Sequence, residues 1–420
     1  FLYTYKNDTN IFKYYFIDTV MEVVKLNTYI VGTPQPHIGG MYWIFLSIET
    51  KCEITGIGEV YSSSFHPEVV VKAIEDVFGR YLKGQDPHHI ERLYRECYSS
   101  GFTQRPDLTM MGVLSGLEMA CWDIIGKAAN KPIYELIGGK VHDKLRSYTY
   151  LYPEDKNGVL NYEDPELGAE SAVNFMEQGF SAIKFDPAGP YSVYSGHQIS
   201  MSRLKHCENY CRKVREAVGD NCDILIGTHG QLTPASAIRL AKRLEQFDPL
   251  WFEEPVPPGQ SSAMTEVAKK TSIPIATGER LTTKYEFFDI LKNNSASIIQ
   301  MNLGRVGGIL EAKKIASLAE VFYTQIAPHL YNGPVGAAAS IQLATATPNF
   351  LIMESIKTWN GFHEEVLMEP LNWSNGDIIP SDKPGLGVEL NLDVVESHSP
   401  YKGQKLHLSM DSNPYHVEDD

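Results

Sequence analysis

The sequence predicts an α/β protein, a (β/α)8 TIM-like barrel with a smaller α+β domain ahead of it. Eight short β-rich runs alternate with helical segments over roughly 220 residues, the size and rhythm of such a barrel. The runs are SYTYLY (147–152), AIKFD (182–186), DILIG (223–227), LWFEE (250–254), IPIATGE (273–279), SIIQMN (297–302), TQIAPH (324–329) and FLIMES (350–355). Segments such as PASAIRLAKRLEQF and GILEAKKIASLAEVF lie between them with helical periodicity. Ahead of the barrel, WIFLSIET (43–50) and ITGIGEVY (54–61) read as a hairpin. VLSGLEMACWDIIGKAA (113–129) sets Leu114, Leu117, Cys121, Ile124 and Ala128 on one helical stripe.

These elements divide the chain into 21–145 for the α+β domain, 146–372 for the barrel and 373–420 for a Pro- and Gly-rich tail that leaves the barrel and packs elsewhere. Residues 1–20 read either as an extension upstream of a start at Met21, where MEVVKLNTYIV begins like a first strand, or as an ordered addition. They lack the basic start, apolar middle and small residues of a secretory signal.

A hydrophobic content of 43% over 420 residues fills a sizeable core. No run of 18 apolar residues predicts a membrane span. With 37 basic against 52 acidic residues and a net charge of −15, the chain is a poor ligand for nucleic acid. An anionic substrate would need local cations to hold it against that charge. Six scattered cysteines make no disulfide framework and predict a reduced, cytoplasmic protein. Cys207 and Cys211, four apart beside His206, read as ordinary helix thiols, since no second ligand pair is near them.

The chemistry is expected where the strands end, because side chains there converge on one mouth. In order the ends carry Lys184 and Asp186, His229, Glu253 and Glu254, Glu279 with Arg280, Gln300 and Asn302, His329, and Glu354. Glu253 and Glu279 on successive strands are oxygen donors suited to a hard cation such as Mg2+. Without a cation they would repel, unless Lys184 or Arg280 neutralised them. Glu254 should differ from Glu253, since alternate strand residues point to opposite sides. His229 and His329, across the mouth from each other, suit base and acid work near neutral pH.

The chain resembles the enolase superfamily, in particular the mandelate racemase branch and its galactonate-type acid-sugar dehydratases. The resemblance runs over residues 21 to 400. It is carried by GFTQRPDL, GQDPHHIERLYRE and SGLEMACWDIIGKAANKPIYELIGGK, then by WFEEPVPP, IPIATGERL, QMNLGRVGG, IAPHLYNGPVG, MES and KPGLGVEL. It implies that the N-terminal domain caps the barrel, that the tail completes that cap, and that a small acid sugar is dehydrated through a Mg2+-stabilised enediolate. It further implies Glu253 and Glu279 as metal ligands, His329 as base or acid on one face, Glu354 bonded to the enediolate, and His229 protonating the departing hydroxyl. Homo-oligomers are common among such proteins, and a cap loop, here TPQPHIGGMYW (33–43) with His37, Tyr42 and Trp43, contributes to specificity.

Two positions depart from the family's pattern. Its third strand ends Asp-x-His with the aspartate on the metal, and here that place is Gly227. Asp186 on the neighbouring strand is expected to supply the missing carboxylate; the other arrangements are coordination by His229 itself, or loss of the metal. Asn302 stands where the family has an aspartate behind the seventh-strand histidine, so His329 should be a weaker base. Asp186 also takes the last place of the racemases' Lys-x-Lys, which leaves Lys184 to neutralise the substrate carboxylate and argues against racemisation. An epimerase or cycloisomerase, and a barrel that binds a sugar acid without turning it over, are the rival readings.

Overall fold

In a computed structural model the described residues are 21–61, 64–189 and 196–399, so the reading of 1–20 and the end of the tail lie outside them. The first domain opens with an antiparallel meander, β1 (Val23–Gly32), β2 (Tyr42–Thr50) and β3 (Thr55–Val60), followed by helices α1 (Pro67–Val77), α2 (Ile90–Tyr98) and α3 (Leu108–Ala129). Helix α3 starts five residues before the predicted helical segment, because the Asp107 side chain caps it by accepting from the Met110 N–H at 2.9 Å. It is buried almost all round rather than along one stripe. A Cβ on Gly56 or Gly58 of β3 would lie 2.1 Å from the Ala120 carbonyl oxygen or 2.0 Å from that of Gly116, so the helix rests directly on the strand. Length and composition would let α3 cross a membrane, but 78% of its apolar window is buried inside this fold.

After the short α4 (Ile133–Leu136), eight parallel strands follow: β4 (Leu145–Tyr150), β5 (Ala182–Phe185), β6 (Asp223–Gly227), β7 (Trp251–Glu253), β8 (Ile275–Thr277), β9 (Ile298–Ile299), β10 (Gln325–Ile326) and β11 (Met353–Ser355). Each pairs with its sequence neighbour from β4 to β10, and β11 returns to pair with β4. Between β10 and β11, Ile326 pairs with Phe350 and its carbonyl accepts from the Leu351 N–H at 2.9 Å. The intervening helices are α5 (Pro165–Glu177), α6 (Met201–Val218), α7 (Pro234–Leu244), α8 (Ser261–Ala268), α9 (Lys284–Lys292), α10 (Ile309–Val321) and α11 (Pro334–Thr345). Cys207 and Cys211 are buried free thiols on α6.

Beyond α12 (Phe362–Glu365), the hairpin β12 (Trp373–Ser374) and β13 (Asp377–Ile378) pairs antiparallel with the start of β4. The chain then crosses to the first domain. Gly385 pairs with Pro132, the Leu386 N–H donates to Asp123, and His398, just after α13 (Leu392–Ser397), accepts from the Gly32 N–H at 3.1 Å.

Buried carboxylates of the first domain dock it on the barrel helices. Glu118 on α3 accepts from the N–H groups of Ile309 at 2.8 Å and Leu310 at 2.9 Å, at the start of α10. Glu59 on β3 accepts from Gly333 at 2.6 Å and Gly336 at 2.8 Å, at the start of α11. Helix N-termini carry unpaired N–H donors, and each carboxyl group accepts from two of them. Gly308, at φ +93°, must be glycine, since a Cβ there would lie 1.9 Å from Glu118 Oε2. Burial raises the pKa of Glu118 to about 8 against the bonds from Leu310 and Ile309.

Replacing Glu118 with alanine strands three donors, the Ile309 and Leu310 N–H groups and Trp122 Nε1, and we expect chemical denaturation to show a loss of about 2–4 kcal/mol. Because its folded pKa lies above its ordinary 4.5, the folded state binds the extra proton. This group's contribution is therefore full below pH 4.5 and is lost as pH rises to about 8; Glu118→Gln should remove that part of the slope.

Candidate active site

Strand register brings the predicted side chains to one end of the barrel. Lys184 lies beside Leu225, Glu253 beside Gly227 and Glu354 beside Tyr148. A Cβ at Gly227 would meet Lys184 Cε at 3.6 Å and His229 Cε1 at 3.7 Å, so the lysine chain and the imidazole flank the space a family aspartate would fill.

Lys184 is 2% exposed, and its ammonium sits 2.6 Å from Glu253 Oε1 and 3.3 Å from Glu354 Oε1, with the Tyr148 ring centre at 5.8 Å. Burial alone would lower its pKa, but the charges of Glu253 and then Glu354 hold it well above the ordinary lysine value. Glu253 Oε2 accepts from Trp251 Nε1 at 2.9 Å and Gln300 Nε2 at 2.7 Å. Glu354 Oε2 accepts from the Leu330 N–H at 2.6 Å, and burial raises its pKa to about 6 against the pull of Lys184. Glu254 has a different task from its neighbour: it accepts from Thr277, the Gly278 N–H and Arg280, and ties β7 to the turn after β8.

The two histidines are held by unlike partners. His229 follows β6 in the left-handed region at φ 48°, and its Nδ1 lies 2.8 Å from Asp186 Oδ2. Asp186 Oδ1 accepts from the Ala188 N–H at 2.9 Å. Burial works against protonation of His229, yet the Asp186 bond and charge raise its pKa above the ordinary 6.5. His329 follows β10, and its Nδ1 lies 3.0 Å from the amide nitrogen of Asn302, whose Oδ1 accepts from the Gly304 N–H at 2.8 Å. Burial, with Lys184 and Arg305 nearby, lowers His329 to about 3 despite Glu279, whose Oε2 is 3.2 Å from Nε2. Glu279 is itself buried, a condition that favours the acid, but the cationic groups around it hold it below the usual carboxylate range.

The partners of these side chains test the expected Mg2+ site. Gly227 offers no donor, Asp186 is engaged by His229 and Ala188, and both oxygens of Glu253 carry N–H donors. Glu279 Oε2 is buried without a donor in hydrogen-bond geometry, and so is Gln300 Oε1. Among the described residues, no three His, Cys, Asp or Glu side chains are grouped to hold a metal ion. The residues do not fit a three-carboxylate Mg2+ site, and Asp186 is not brought into one. Glu253 instead shares the Lys184 ammonium with Glu354.

Some contributors escaped the sequence reading. Arg305 in QMNLGRVGG donates to the Glu279 carbonyl at 3.1 Å and lies 4.4 Å over the Tyr61 ring, which is 6.4 Å from the His329 ring. Its place three residues past Asn302 was the available signal. A pocket lined by Gly39, Gly40, Tyr42, Tyr61, Tyr331 and Asn332 opens beside this group. Trp43 also edges it but is buried, against Phe45, Phe362 and His363, so its ring is mainly packing. His37 bonds Thr33 and Gln35 within its own loop.

Histidine NMR titration should find His329 neutral down to about pH 3, while His229 titrates above 6.5 and moves down in Asp186→Asn.

Residues 35–138 match the mandelate racemase/muconate lactonizing enzyme N-terminal domain, and residues 168–394 the enolase C-terminal domain-like family. The D-xylonate dehydratase of Haloferax volcanii is 34% identical over 365 residues, 86% of each chain. The D-galactonate dehydratase of Xanthomonas oryzae is 31% identical over 383 residues, 90% of this chain and 94% of that one. A mandelate racemase/muconate lactonizing enzyme structure from Burkholderia SAR-1 superposes with a TM-score of 0.93 at 65% identity, covering 95% of this chain and 99% of that one. With both domains matched and the fold shared, the chain belongs to the enolase superfamily, in its mandelate racemase/muconate lactonizing branch.

Proposed function

We propose that this chain is a hydro-lyase that removes water from a small acid sugar, an aldonate or aldarate, by abstracting the proton next to its carboxylate. The observation that carries the reading is the buried Lys184 ammonium, gripped by Glu253 and Glu354 with His229 and His329 at the same mouth. The dehydratase relatives support the reaction class.

A proton α to a carboxylate is too weakly acidic for a free imidazole, so the charge that develops on the carboxylate oxygens must meet a cation already in place. Lys184 supplies that charge in a dry setting where electrostatic effects are strong. Arg305, which pairs with no carboxylate among the described residues, adds positive charge at the mouth, which helps draw an anion into a chain of net charge −15. Hydroxide leaves poorly and water leaves well, so a histidine must protonate the β-hydroxyl. Asp186 engages His229, as a dehydratase wants; a racemase wants a second base in its place.

Purified protein given a panel of aldonates and aldarates should form a 2-keto acid from at least one, and should keep that activity after exhaustive EDTA treatment. Lys184→Met should lower turnover about 10²–10³-fold while circular dichroism shows the fold retained. A panel that yields no 2-keto acid sinks the reading.

A further inference from the structure

The cations at the mouth are not equally provided for. Lys184 sits between Glu253 and Glu354, and Arg280 pairs with Glu254 and lies 3.7 Å from Glu279 Oε1. Arg305, in the turn between β9 and α10, is 7% exposed and pairs with no carboxylate among the described residues. One of its terminal nitrogens donates to the Glu279 carbonyl at 3.1 Å, while Nε is buried without a partner. A guanidinium carries five N–H donors, so a single bond to a carbonyl leaves most of them, and the charge, unanswered. Burying a charge in that condition is costly, which makes the position one for an anion. The group lies 4.4 Å over the Tyr61 ring, and stacking on a ring leaves the edge of the planar fork for the two oxygens of a carboxylate.

Tyr61 follows β3 of the cap and rests on the turn that carries Arg305: a Cβ at Gly304 would lie 2.7 Å from Tyr61 Cβ, so glycine admits the contact. Tyr61 also lines the cavity between cap and barrel, and its ring centre is 6.4 Å from that of His329. Arg305 thus stands one ring beyond this histidine, toward the cap. We propose that Arg305 binds a second carboxylate, at the far end of the substrate chain, so that the site prefers an aldarate, a diacid, over the aldonate that ends in a hydroxymethyl group. This rests on the dehydratase reading above, in which Lys184 meets the reacting carboxylate and leaves Arg305 to another anion. A hydroxymethyl group could accept one N–H but brings no charge, so an aldonate would close the site over a cation still without a counter-ion. The preference comes from that unpaired group rather than from any clash with the aldonate.

Matched pairs of acid sugars, alike at every carbon but the last, test the assignment. Calorimetry with C3-deoxy analogues, which have no hydroxyl to lose there, reads binding apart from turnover. The wild type should bind the aldarate of at least one pair about 10–100-fold more tightly than its aldonate. Arg305→Gln, which keeps a donor for the Glu279 carbonyl, should erase that preference, and Arg305→Lys, which keeps the charge without the fork, should retain part of it. With the intact sugars, the ratio of kcat/KM for aldarate over aldonate should fall by about the same factor in Arg305→Gln; a merely structural role would lower both values alike and leave the ratio where it was. Equal binding within every pair in the wild type, or a preference that Arg305→Gln leaves intact, overturns the proposal, and 2-keto acid formed from aldonates would then leave the dehydratase reading standing. Absence of 2-keto acid from both classes overturns that reading even where the binding preference holds.

Discussion

A positive charge buried at the end of the barrel organises everything around it. An isolated ammonium in such a place is costly, and the structure answers with two carboxylates, each in turn satisfied at its other oxygen. Glu253 leans on Trp251 and Gln300, and Glu354 on the Leu330 N–H. Four strands are thereby committed to one electrostatic arrangement: β5 through Lys184, β7 through Glu253, β11 through Glu354 and β9 through Gln300, which directly follows it. The same charge helps keep His329 neutral and Glu279 ionised, so the protonation pattern of the mouth follows from where this one lysine sits.

The cap is held by the same principle applied to helix ends. Glu59 and Glu118 meet the first N–H groups of α11 and α10, whose strands, β10 and β9, lead to His329 and Asn302. Cap position and mouth geometry are thus coupled through short stretches of chain. Gly308 lets the backbone come close enough to Glu118 for that contact.

Much of this was legible in the sequence, because barrel strands announce themselves by apolar runs ending in polar residues, and those ends share one rim by construction. Lys184, His229, Glu253, Glu279, Asn302, His329 and Glu354 all come to that rim. What the sequence could not convey was pairing. Asp186 lies as near in sequence to a metal role as to a histidine, and only the turn that places His229 at positive φ decides in favour of the imidazole. The all-round burial of α3 was hidden for a similar reason: its second face meets α10, an element some 190 residues away, which periodicity within the helix does not reveal. Arg305 went unweighed because it follows the strand end by several residues.

The tail's return to the cap has a bearing on biogenesis. Asp123 finds its Leu386 partner, and Gly32 its bond to His398, only when nearly the whole described chain has emerged from the ribosome. The cap, synthesised before the barrel, is therefore finished only after it, and must wait for the tail while the barrel behind it assembles.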